Sequence, residues 1–211
     1  ATHGPGENCM STGFILDGFP SMGAWATYAL GSECDELPAF VAIPDPRGVP
    51  QSSVNNWGPG FLPAAFQGSV FQSGDSPVAN ISPREKTPDL QSAKLALIKR
   101  LDRNLLGRLG RADQVESAIA NYELAARMQL AVPDLMDLSA ETQATQKLYG
   151  MDDSFANTRK YGRLCLVARR MVERGVRFIE LTCTGGNGDR WDQHGGLKKR
   201  LAANCQAVDQ P

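Results

Sequence analysis

The chain has 211 residues, 22 Lys and Arg against 23 Asp and Glu, a formal net charge of −1, and 42% apolar residues. That composition is globular, lacks the basic excess a dedicated nucleic-acid binder uses against phosphate, and contains no apolar run of the roughly 18 residues that would span a membrane. Its five Cys include no CxxC pair, which argues against a zinc ribbon or a dense disulfide framework.

The opening, Ala1-Thr2-His3-Gly4-Pro5-Gly6, has no initiator Met and no apolar signal segment, and the close, Ala207 to Pro211, reads as the end of a helix. Both ends are expected to be internal to a longer chain, so they carry no information about compartment. Eleven of the 13 prolines lie at or before Pro88. Proline removes a backbone donor and fixes φ, so residues 1–88 are expected to lack long helices and residues 89–211 are free to form them.

Ser21 as N-cap and Gly31 beyond the C-terminus predict a short helix over Met22 to Leu30. Ala39-Phe40-Val41-Ala42-Ile43, stopped by Pro44, predicts a short buried strand. Asp45 to Thr87 is rich in Gly, Pro, Ser and Asn but carries Trp57, Phe61, Phe66 and Phe71, so it is expected to pack on the body as an ordered insertion.

Thr87-Pro88-Asp89 starts a helix whose Leu90, Ala93, Leu97, Leu101 and Leu105 share one face, with Gly107 and Gly110 ending it. A second helix begins at Asp113, presents Val115, Ala118, Ile119, Tyr122, Ala126 and Leu130, and is expected to end before Pro133. Ser139 is the expected cap of a third, stopping at Gly150. A fourth buries Leu164, Val167, Ala168, Met171 and Val172 and closes at Gly175. Met128 and Met171 read as packing residues, and the clusters Arg169, Arg170, Arg174 and Lys198, Lys199, Arg200 as solvated helix faces. Val176 to Cys183 then reads as a buried strand, so the fold class is α/β, a sheet covered by helices.

Ligands in such folds collect outside the carboxyl ends of strands, and that is where the chemistry-bearing residues lie. Thr184 to Asp189 is a Gly-rich loop without the ending of a P-loop or the spacing of a dinucleotide fingerprint. It is followed by Trp191-Asp192-Gln193-His194-Gly195-Gly196. A carboxylate and an imidazole two apart on extended chain point the same way, and both ligate divalent metals. A polar surface Asp-x-His is the alternative. His3 and His194 are the two histidines, so further ligands would be carboxylates or residues outside this segment. His3 is a candidate contact for a substrate anion, or an exposed histidine near a cut end. Cys165 and Cys183 read as core, and no Ser-His-Asp or Cys-His set assembles.

Taken in order, Thr2-His3-Gly4-Pro5, Met10-Ser11-Thr12-Gly13, Pro20-Ser21-Met22-Gly23-Ala24-Trp25, Leu37-Pro38-Ala39-Phe40-Val41, Asn56-Trp57-Gly58, Gly60-Phe61-Leu62-Pro63, Tyr122-Glu123-Leu124-Ala125, Cys165 to Arg170, Glu173 to Phe178 and Trp191-Asp192-Gln193-His194 resemble the bacterial sulfatase-like family of the domain of unknown function numbered 1501, along essentially the whole chain. The resemblance implies an internal part of one domain of the alkaline phosphatase and sulfatase superfamily, with an α/β core incomplete in this segment. It implies a divalent metal ion (zinc, calcium or manganese) bound by Asp192 and His194, a small-molecule or glycan sulfate or phosphate ester as substrate, and a metal-dependent hydrolase inactive as this fragment. The nucleophile and other ligands would lie outside residues 1–211, and the parent would be periplasmic or extracellular. A non-catalytic exported binding or surface-assembly protein of the same fold is the alternative.

Overall fold

A computed structural model describes residues 3–46, 48–72, 77–79, 81–110, 113–183 and 191–211. Among these, seven helices and three short strands form a mixed α/β fold. The strands are β1 (Phe40–Ile43), β2 (Ser69–Val70) and β3 (Phe178–Leu181), all parallel, in the order β2-β1-β3. β1 is central and fully buried, and its alternation divides the core. Val41 and Ile43 join Met128, Val132, Leu135, Leu164, Val167 and Met171 on one face, while Phe40 and Ala42 join Trp57 on the other. Phe40 stands opposite Phe178 in register, and their rings meet edge to face at 5.3 Å. β3 was expected to be buried but is half-exposed at all four residues, because it forms the sheet edge.

Helix α1 (His3–Thr12) tolerates Pro5 in its first turn, where no intrahelical donor is required. Helix α2 (Met22–Leu30) matches its expected bounds: the Ser21 hydroxyl accepts from the Ala24 amide at 3.4 Å, and Gly31 takes φ +71°. The insertion is ordered where described, with Trp57 and Phe71 buried and Phe61 exposed; it forms two 3-10 turns (Ser53–Trp57 and Ala64–Phe66) and β2.

Helix α3 (Pro88–Leu109) is capped by Thr87 and runs through Gly107 to stop at Gly110, since one helical glycine costs only about 1 kcal/mol. Its leucine stripe does not face the core. Leu90, Leu97, Leu101, Leu105 and Leu109 are all exposed, and no residue of the helix is fully buried.

Helix α4 (Asp113–Met136) passes through Pro133. The helix on both sides of the proline is held from outside: Arg174 donates to the Ala131 carbonyl (3.2 Å) and Arg170 to those of Asp134 and Asp137 (2.9 and 2.6 Å). Leu135 is buried beneath it. The arginine cluster is therefore a tie between helices and not a solvated face; Arg169 also reaches Glu141 at 2.5 Å. The buried face of α4 is Met128, Ala131, Val132 and Leu135, with Leu130 exposed, so the expected stripe is displaced.

Helix α5 (Gln143–Leu148) is capped by Thr142 and not by Ser139; Ser139 instead donates its amide to Asp137 Oδ1 at 2.9 Å. Helix α6 (Ala156–Glu173) carries the expected core stripe, although Val172 is exposed, and Met128 and Met171 are buried as packing residues. A Cβ on Gly162 would lie 1.8 Å from the Tyr149 carbonyl oxygen, so only glycine fits this crossing. Cys165 and Cys183 are half-buried. Helix α7 (Leu197–Val208) carries Lys198, Lys199 and Arg200 on an exposed face, as expected.

Candidate metal centre

The carboxyl ends of β1 and β3 are stitched together by Thr182. Its amide donates to the Ile43 carbonyl at 3.1 Å, and its hydroxyl accepts from the Asp45 amide at 3.2 Å. Over these ends lies α1, pinned to the insertion: Ser52 donates its hydroxyl to the Gly4 carbonyl (2.6 Å) and its amide to Glu7 Oε2 (3.2 Å). Asn8 is buried and donates to the Leu16 carbonyl at 2.8 Å, which fixes the far end of the helix. His3 is thereby held at the first turn of α1. The Trp191 indole N–H donates to the Cys183 carbonyl at 2.8 Å, returning the 191–196 segment to the end of β3.

These two anchors bring His3 and the Asp192/His194 pair together. His3 Nε2 is 2.8 Å from Asp192 Oδ2, and His194 Nε2 is 3.5 Å from the same oxygen. One ligand atom from each residue lies within 4.8 Å of the others. In a tetrahedral zinc site with bonds of about 2.0–2.1 Å, ligand atoms stand roughly 3.4 Å apart; the His194–Asp192 separation matches that edge, while His3 and Asp192 stand at the shorter distance of a direct hydrogen bond. Two nitrogens and one oxygen leave a fourth position for water or substrate. The side chains of His3, Asp192 and His194 are 37%, 50% and 77% exposed, so an ion has open access. His3 was expected to be a substrate contact apart from the metal pair; the structure places it against Asp192. The Thr184–Asp189 loop lies outside the described residues.

His3 and Asp192 also border a cavity of about 650 Å³ that reaches Glu7, Asn56, Glu180 and Thr182. Burial raises the Glu180 carboxyl from its ordinary 4.5 to about 7. Asn56 is 2% exposed, and its Oδ1 has no hydrogen-bond partner among the described residues. Neither residue was singled out from sequence. Glu180 had a legible signal, a carboxylate inside an otherwise apolar strand; Asn56 stood only within the Asn56-Trp57-Gly58 motif, without a role.

The family model described as Protein of unknown function (DUF1501) matches residues 1–211. No curated protein and no solved structure matches the chain. The chain belongs to the DUF1501 family.

Proposed function

From that membership and the convergence of His3, Asp192 and His194, we propose that the chain forms part of a metal-dependent hydrolase of sulfate or phosphate esters, built on an alkaline-phosphatase/sulfatase-like core. The observation that carries this reading is that His3 and Asp192, from opposite ends of the sequence, meet at 2.8 Å beyond the carboxyl end of a parallel strand. Ligand sites of α/β folds collect at that end. Of zinc, calcium and manganese, two imidazoles and one carboxylate favour zinc. A bound ion would supply Lewis-acid polarisation of the ester oxygen. The chain's own residues hold and orient: Trp191 sets the position of Asp192 through Cys183, and Ser52 sets that of His3 through Gly4.

The test is hydrolysis of 4-nitrophenyl sulfate and 4-nitrophenyl phosphate by the intact protein that carries this chain. Turnover should vanish in chelator, return with added zinc, and fall by about 100-fold or more in a folded Asp192→Asn variant. Turnover indifferent to chelator and to that substitution would overturn the reading. A second reading, a non-catalytic exported binding or surface-assembly protein of the same fold, draws on the openness of the cluster, since catalytic electrostatics act best where water is excluded. Bound metal without turnover of either ester would favour it.

A further inference from the structure

The cavity beside the metal cluster is rich in carboxylates and poor in positive charge. Three of its ten lining residues, Glu7, Glu180 and Asp192, are carboxylates, and none is Lys or Arg. His3, its one basic side chain, already faces Asp192. Glu7 accepts the Ser52 amide through Oε2, and the Thr182 hydroxyl accepts the Asp45 amide. Two acceptors then stand unanswered among the described residues. Glu180 has neither a hydrogen bond nor an ion pair, and its raised carboxyl reflects desolvation with no counter-charge. Asn56, on a different element, is 2% exposed with Oδ1 unpartnered. A buried carbonyl oxygen without a donor leaves its desolvation uncompensated.

A ligand completing this wall has to donate hydrogen bonds and has to bring no negative charge to Glu180. A neutral hydroxyl offers one donor; a primary ammonium offers three donors, no acceptor, and the charge opposite to the carboxylate. We propose that the cavity binds the protonated primary amine of a small hydroxylated amino compound, an amino-sugar or aminoalkyl group, between Glu180 and Asn56. The volume of about 650 Å³ leaves room for the rest of such a molecule. Resting on the hydrolase reading, the same site names the substrate class: a sulfate or phosphate ester whose alcohol part carries an amine. The amine site itself stands on the cavity wall alone.

The test is calorimetric titration of the full 211-residue chain, in EDTA, with D-glucamine and with D-sorbitol, which differ only by an amine in place of one terminal hydroxyl. D-glucamine should bind about tenfold tighter or more. Glu180→Gln, folded by circular dichroism, should bring the two compounds to near parity, and Asn56→Asp should strengthen the amine preference. Equal binding of the two, binding of neither, or a preference untouched by Glu180→Gln would overturn the proposal. Zinc titration of the same protein without EDTA separates the two readings. Zinc bound with no amine preference removes this inference alone, whereas an amine preference with no zinc removes the hydrolase reading and leaves the amine site.

Discussion

Replacing Glu180 with Gln is expected to stabilise the chain above neutral pH and to change little near pH 4.5. Burial moves the carboxyl from 4.5 to about 7 in the folded state; in the unfolded state it returns to its ordinary value. Between those two values the folded chain retains a proton the unfolded chain has released. Stability therefore falls as pH rises through that window. Below it both states are protonated, and above it both are ionised and the full penalty is present. The shift corresponds to about 3 kcal/mol at 1.36 kcal/mol per unit. Because β3 is only half-buried, screening by water reduces this to about 1–2 kcal/mol. Gln keeps the shape and removes the charge. Urea denaturation of both proteins at about pH 5, 6 and 8 reads the effect. The variant should gain about 1–2 kcal/mol over the wild type between the lowest and highest pH. A stability difference that stays constant with pH, or a variant less stable at about pH 8, would refute the reasoning by showing that the carboxylate has a counter-charge in the folded chain.

Three further outcomes follow from the packing. Gly162→Ala should cost about 3 kcal/mol or more and lower the melting temperature, because the new Cβ would sit 1.8 Å from the Tyr149 carbonyl, backbone against backbone; an unchanged melting temperature would contradict that close crossing. Leu97→Gln, on the exposed face of α3, should stay within about 0.5 kcal/mol of wild type, whereas Leu166→Ala, fully buried, should cost about 2–5 kcal/mol by denaturant titration. A thiol reagent at about pH 8 should modify exposed Cys9 quickly and Cys165 slowly, since burial raises the Cys165 thiol to about 11; equal rates in peptide mapping would count against the burial of Cys165.

Elements governed by local chemistry were legible. Ser21, Gly31, Thr87 and Gly110 mark helix ends through their own hydroxyls and dihedrals, and Phe40 to Ile43 announced a buried strand by its apolar run. Features governed by partners distant in sequence were not. The α3 leucines have a core-facing period but meet no core, and period alone cannot tell a helix what will cover it. Pro133 is carried inside α4 by arginines some 40 residues away. Thr142 caps α5 in place of Ser139, whose amide and hydroxyl both turn to the Asp137 carboxylate. The site divided along the same line. Asp192 and His194 share a short motif, but the place of His3 beside them depends on Ser52 and Trp191 anchoring two remote segments.

The proposed metal site of His3, Asp192 and His194 is tested by His3→Gln. In a motif-only site the substitution would leave zinc binding intact, because Asp192 and His194 remain. With zinc stoichiometry and affinity measured by mass spectrometry and competitive titration, the wild-type chain should bind about one zinc. His3→Gln and Asp192→Asn should each weaken it by about 100-fold or more while retaining the wild-type circular dichroism spectrum. Zinc binding unchanged by His3→Gln, or none in the wild type, would contradict the claim.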